Sequence, residues 1–374
     1  MNDFDEPNAG RALTSEFASW VGPDSDPRAT PRARRQPRLL DRLRGQLRMR
    51  HYSLSTERSY VGWVKRFIFF HEVRHPQEMR KEEVEAFLNH LAMDLGVAAS
   101  TQNQALNALV FLYRFVIEKE IGALTELIRA KRPVRLPVVM TVDEVERVLE
   151  GLSGDSLAVC LLLWGGGLRL MEALRLRIQD IDLDRRELRV RDGKGRRDRL
   201  TVLPERVTAM LREKIASSLR LHREDLAKGH GEVELPDALA RKYPKAGWEP
   251  RWQWVFPSDR MSVCPRTGRV GRHHLFQTTI QRHVKRAAND ADITRRVTPH
   301  TFRHSFATAL LESGHDIRTV QELLGHRSLN TTMVYTHVLN RGGRGVMSPA
   351  DLARPRPRPP SRDESPWNQS PRPG

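Results

Sequence analysis

Cysteine is nearly absent from this chain, with only Cys160 and Cys264 in 374 residues. They form no Cys-x-x-Cys pair, which excludes a disulfide framework and a zinc ribbon. His222, His230, His273 and His274 do not add the spacing of a zinc site to Cys264. Long apolar runs are missing too. Residues 157–164 (LAVCLLLW) are too short to cross a bilayer and predict a buried helix, with Cys160 as a small core residue. No G-x-G-x-x-G fingerprint follows a strand, and Gly193-Lys194-Gly195 lacks the upstream glycine of a phosphate-binding P-loop. The acidic first residues carry no hydrophobic stretch, so no signal peptide is expected. A reducing, cytoplasmic setting without membrane contact fits these absences.

Positive charge, by contrast, is plentiful. Lys and Arg number 63 against 46 acids, giving a formal charge of +17 and a pI near 10.6. Residues 1–36 contribute −1 and residues 341–374 contribute +4, so the body from 37 to 340 keeps +14. The basic field therefore belongs to the part expected to fold, which favours a polyanionic partner such as nucleic acid.

Residues 1–36 lack periodicity and are expected to be a disordered tail. Four amphipathic helices are predicted over 37–129. The first carries Leu39, Leu40, Leu43 and Leu47 amid arginines. The second follows Ser55 (Tyr60, Trp63, Val64, Phe67, Ile68, Phe70) and is broken by His75-Pro76. The third covers about 81–94, and the fourth is capped by Ser100. A basic, proline-interrupted linker spans 130–137. A second domain, 138–345, opens with the capping box Thr141-Val142-Asp143-Glu144. Its strands alternate around Asp192-Gly193, placing Lys194 at the tip of a β-hairpin. Residues 228–272 carry Trp248, Trp252 and Trp254 without helical or strand period, and read as an insertion with its own packed aromatics. A helix is predicted from about His273 to Asn289. Residues 346–374, rich in Pro and Arg, are expected to be largely disordered. Two basic domains on a short strap could close around a duplex as a clamp.

Six residues make a candidate phosphoryl-transfer set: Arg169, Lys194, His300, Arg303, His326 and Tyr335. At pH 7 a free phenol with a pKa of about 10 is only about 0.1% ionised, so Tyr335 needs a base and nearby positive charge to act as a nucleophile. Arg169 and Arg303 suit the non-bridging oxygens. His300 is placed to take the phenol proton, His326 to hydrogen-bond the phosphate, and Lys194 to protonate the leaving 5′ oxygen. No acidic cluster suits two metal ions, so metal-free covalent catalysis without a cofactor is expected.

The order Arg…Lys…His-x-x-Arg…His…Tyr, within GLR (167–169), HTFRHSFAT (300–308) and LLGH (323–326), resembles the tyrosine recombinase (phage-integrase) family over about residues 37–340. Gly166 stands where that family usually has Thr or another small residue. The resemblance implies a mainly α, two-domain DNA clamp. Its N-terminal domain would be a four-helix, SAM-like core-binding domain, and its catalytic domain would be helical with a small antiparallel sheet. It further implies a 3′-phosphotyrosyl intermediate on Tyr335, strand exchange through a four-way junction, and a homotetramer on two DNA sites, without ATP. Residues 235–247, 251–257 and 271–275 are similar to the stretch that marks integron integrases, which recombine attI duplexes with attC sites folded as single-strand hairpins. By that resemblance Trp252, Pro265, His273 and His274 would hold extrahelical bases; the alternative for Trp252 is packing in the insertion's core. Other expectations for the chain are a recombinase of double-stranded sites only, a non-catalytic DNA-binding protein, or a relaxing topoisomerase.

Overall fold

The computed structural model describes residues 38–119, 136–191, 198–235 and 237–339. Both tails, most of the linker and the hairpin tip with Lys194 lie outside them. The chain divides into two compact units, Met1–Val134 and Arg135–Gly374.

Among the described residues the first unit has four α-helices, α1 (Leu39–Met49), α2 (Leu54–Phe70), α3 (Lys81–Asn89) and α4 (Ala99–Leu112). The last two run on into π turns, His90–Asp94 and Tyr113–Ile117. Leu40, Leu43 and Leu47 of α1 meet Val64 and Phe67 of α2 and Leu109 and Leu112 of α4 in a dry core. Ser53 caps α2, its Oγ accepting from the Thr56 amide at 3.1 Å. For α4 the expected cap is displaced. Ala98 occupies the N-cap without a side-chain bond, which leaves Ser100 inside the first turn. Two of the α1 arginines are structural rather than free. Arg48 grips the buried Glu57 carboxylate at 2.8 and 3.1 Å, and Arg42 donates to the Val116 carbonyl.

In the second unit α5 (Val142–Glu150) carries the predicted capping box, Thr141 Oγ1 accepting from Glu144 N at 3.3 Å and Glu144 reaching back to Thr141 N at 2.8 Å. The apolar α6 (Gly154–Gly165) is buried among α5, α8 (Glu205–Ala227), α10 (Gln277–Asp290) and α11 (Pro299–Glu312). Between α6 and α8 lie the short α7 (Leu170–Leu174) and a three-stranded antiparallel sheet. Its strands are β1 (Ile181–Asp182), β2 (Glu187–Val190) and β3 (Arg199–Val202), in the order β1-β2-β3. Val190 pairs with Arg199, which makes the expected hairpin and turns Arg199 toward α12 (Ile317–Leu324). The last described helix, α13 (Leu329–Leu339), packs on α11 and α12.

Residues 228–272 hold more regular structure than expected. After the short α9 (Asp237–Lys242), β4 (Pro257–Val263) pairs antiparallel with β5 (Val270–His274). A two-stranded ribbon with both faces partly solvated has no hydrophobic alternation to read, and a register shift between Pro257 and Met261 blurs it further. The helix predicted from His273 begins at Gln277, so His273 and His274 lie on a strand. No described helix is long and apolar enough to cross a membrane.

Candidate active site

Arg303 sits at the centre of the second unit and is only 3% exposed. Thr298 ends the preceding loop, and Pro299 in the first turn of α11 pre-sets the helical φ. His300, Arg303 and His304 then project along one face, one turn apart. The Arg303 guanidinium donates to the Gly167 carbonyl and to the Leu324 carbonyl at 2.6 Å, and lies 3.1 Å from His326 Nε2. One side chain thus joins the glycine turn before α7, the end of α12 and the histidine beyond it. Gly325 makes that join possible: at φ +61° it closes α12 in the left-handed conformation and turns the chain directly into His326.

Arg169 stands at the N-terminus of α7, where its amide and guanidinium both bind Glu172, at 2.8 and 2.6 Å. The same carboxylate receives Arg199 at 2.7 and 3.1 Å and has Arg303 at 3.7 Å. Three arginines therefore surround one acid, a net excess of two positive charges around a mostly buried centre. Burial pushes the Glu172 carboxyl up, but the bonds and charge of Arg199, with those of Arg169, outweigh it and bring it to about 2. The Arg303 guanidinium is lowered to about 9 by burial and then by Arg169. Such a site can take an anion with two or more acceptor oxygens, which a phosphodiester supplies.

Tyr335 on α13 is 3% exposed, and its ring lies 6.2 Å from that of His326, nearly parallel. Burial raises its phenol pKa, while Arg303 and Arg169 pull the other way. Its hydroxyl is 2.9 Å from His304 Nδ1. His300, expected to take the phenol proton, has no hydrogen bond among the described residues and lies one turn nearer the start of α11, 6.3 Å ring to ring from His304. The His300 imidazole is nonetheless within the field of the site, its pKa lowered by burial and then by Arg303 and Arg169. His326 is lowered to about 3, by burial and then Arg303, and its Nδ1 is 3.0 Å from Thr332 Oγ1.

The structure therefore gathers Arg169, His300, Arg303, His326 and Tyr335, and adds Glu172, Arg199 and His304, which the sequence reading missed. Glu172 had a signal, standing three residues after Arg169 as a helix-start acid does. His304 had a weaker one as the neighbour of Arg303, and Arg199 had none.

The insertion residues fall differently. Trp252 is 7% exposed and Trp254 6%, and both pack with Val233, Leu235 and Ala246. The buried Arg177 guanidinium lies over Trp254 and donates to the Trp252 carbonyl at 2.8 Å and the Glu234 carbonyl at 2.6 Å. His274 is 4% exposed, and its Nδ1 is 2.8 Å from the Leu275 carbonyl. Stacking on a base needs an open ring face, and in this form Trp252 and His274, expected to hold extrahelical bases, present none. Among the described residues Trp252 Nε1 is buried without a hydrogen-bond partner. Pro265 is exposed on the β4–β5 turn, and His273 is half-buried with its ring 3.9 Å from that of His274.

Comparison with known proteins gives the family. The family model described as "Phage integrase family" matches residues 138–341, and that described as "Phage integrase, N-terminal SAM-like domain" matches residues 39–123. The chain belongs to the phage integrase family. An "Integrase/recombinase" of Escherichia coli is 50% identical over 86% of this chain and 95% of its own length. The "Tyrosine recombinase XerC" of Natranaerobius thermophilus is 31% identical over 80% and 92%. A "XerH site-specific recombinase bound to difH substrate" shares the fold, with a TM-score of 0.52 at 21% identity over 79% of this chain and 82% of that one. The chain is a tyrosine site-specific recombinase, mostly helical, with a SAM-like domain ahead of its catalytic domain.

Proposed function

We propose that Tyr335 attacks a DNA phosphodiester and holds the cut strand as a 3′-phosphotyrosyl intermediate. The observation that carries this reading is the Tyr335 hydroxyl, buried within the field of Arg303 and Arg169 beside an arginine cluster with one counter-ion. Arg169 and Arg303 neutralise the non-bridging oxygens, His326 hydrogen-bonds the phosphate, and Lys194 protonates the departing 5′ oxygen. Aligned cationic donors in a dry site act most strongly on charge that develops in the transition state. The chemistry asks for no cofactor, and cleavage is expected to proceed in EDTA without ATP. Four copies on two DNA sites would complete the exchange.

The finer reading is an integron integrase that joins double-stranded attI to attC folded as a hairpin. The insertion supports it, as a separately packed element with an exposed proline turn and the half-buried His273. Burial of Trp252 favours a second reading, in which the insertion is structural and only double-stranded sites are used. The test is a nicked duplex attI and a bottom-strand attC hairpin, each incubated with wild type and Tyr335→Phe. Detergent-resistant complex with wild type alone supports the nucleophile. Complex on attI but never on the hairpin removes the integron reading and leaves the recombinase.

A further inference from the structure

The mechanism above leaves open where the Tyr335 proton goes, and a phenol raised by burial makes that the hardest transfer in the first step. Among the described residues α11 carries two imidazoles one turn apart, His300 and His304, and only His304 touches the hydroxyl. His304 Nδ1 is 2.9 Å from Tyr335 Oη, within proton-transfer distance, and the two rings are 5.6 Å apart. We propose that His304 Nδ1 is the acceptor of the Tyr335 proton, which makes His304 a catalytic residue and not a packing one. This rests on Tyr335 being the nucleophile.

The groups around His304 set its state. Arg303 and His300 stand on its own helix, Tyr335 faces it from α13, and His326 faces it from the turn after α12. Arg169, Glu172 and Arg199 make the charged cluster beyond. His304 is lowered to about 4, by burial first and then by His300 and Arg303, so at neutral pH the imidazole is uncharged and has one lone pair to offer. With Tyr335 as the donor, as the proposal requires, that lone pair is on Nδ1 and the proton is on Nε2. An incoming phosphodiester adds negative charge next to Arg303, which makes a protonated His304 easier to form at the moment it is needed.

The step balances without a further reagent. The Tyr335 O–H bond breaks, its proton passes to His304 Nδ1, and the phenolate electron pair forms the O–P bond. The P–O5′ bond breaks with its electrons on the 5′ oxygen, which takes a proton from the separate acid. On religation His304 returns its proton to Tyr335. His300 then stands at the phosphate rather than at the nucleophile.

Single-turnover formation of the covalent complex on a nicked duplex, from pH 6 to 9.5, tests the assignment with wild type, His304→Ala, His304→Gln, His300→Ala and Tyr335→Phe. His304→Gln keeps most of the volume and an accepting oxygen but cannot take a proton. Both His304 variants are expected to lose on the order of 10²–10⁴-fold at pH 7. Their rates should then climb about tenfold per pH unit, since only hydroxide is left to ionise the phenol, whereas wild type stays nearly level. Fluorotyrosine at position 335, with a lower phenol pKa, should restore much of the His304→Ala loss. A loss of the same size at every pH, or the steep slope appearing in His300→Ala instead, overturns the assignment. Absence of complex with wild type, or its presence with Tyr335→Phe, overturns the nucleophile itself, and the two failures are told apart by these controls.

Discussion

Glu172 and Arg199 are joined by two hydrogen bonds, at 2.7 and 3.1 Å, across 27 residues of sequence. Arg199 also donates to the Leu323 carbonyl at 2.9 Å, so one side chain links the acid that holds Arg169 to the helix end that presents His326. Removing one partner of a buried pair typically costs about 3–5 kcal/mol, because the other charge is left unpaired. Glu172→Ala should therefore unfold at lower urea concentration by about that amount, and Glu172→Gln by less, since the amide oxygen still accepts. The linkage sign follows from a carboxyl depressed from 4.5 to about 2. Its stabilising contribution is fully present above pH 4.5 and is lost as pH falls through 2. The wild type and Glu172→Gln difference measured by denaturation should accordingly shrink below pH 4.5.

The histidines have the opposite charge type and a different window. His274 and His326 are lowered to about 3 and His304 to about 4, each chiefly by burial. Below pH 6.5 the unfolded chain takes up protons that these folded imidazoles refuse, so stability falls as pH drops from 6.5 toward 4. One unit below 6.5 each contributes a loss of about 1 kcal/mol after allowance for solvent screening. The melting temperature should decline between pH 7 and 5, and the imidazole carbon and nitrogen shifts of the three residues should stay at their neutral values across that range.

Helix periodicity, the capping box at Thr141 and the antiparallel pairing of β2 with β3 were legible because each depends on neighbours in the chain. The site was legible where residue type alone narrows the chemistry, as for Arg303, His326 and Tyr335. Arg199 was not, because its partners Glu172 and Leu323 come from elements distant in sequence, and a surface strand arginine looks the same on paper. The contact of Tyr335 with His304 was not legible for a related reason. His300 and His304 are equivalent on a helical wheel, and only the height at which α13 crosses α11 chooses between them. The β4–β5 ribbon escaped notice because a two-stranded ribbon buries too little of either face to impose alternation.

Trp252 separates a packing role from a binding role. Its side chain is buried with Trp254, Val233 and Leu235, and large aromatic truncations in a core cost about 3–5 kcal/mol. Trp252→Ala should open residues 231–275 to limited proteolysis and lower activity on duplex and hairpin sites together. Pro265→Ala, on the exposed turn, should leave stability within about 0.5 kcal/mol. A Trp252→Ala protein with unchanged proteolysis and a loss on hairpin sites alone would show that the ring leaves the core to meet a base.

Gly167 offers the narrowest steric test of the site. It adopts φ +62°, and a Cβ placed there would stand 2.4 Å from Phe306 Cε1, far inside contact distance. Its carbonyl also accepts from the Arg303 guanidinium, and Arg169 follows two residues later. A methyl group at this position must push Phe306 outward or turn the Gly167 peptide, and the second response withdraws the acceptor from Arg303 while rotating Arg169 off Glu172. The backbone strain alone is worth about 1–3 kcal/mol. Gly167→Ala should thus lose stability and, at temperatures where it remains folded, lose cleavage rate out of proportion to DNA binding. Phe306→Leu in the same chain relieves the clash but not the positive φ. If the double variant regains cleavage, Phe306 contact is the dominant cost; if it regains only stability, the turned peptide and its hold on Arg303 are.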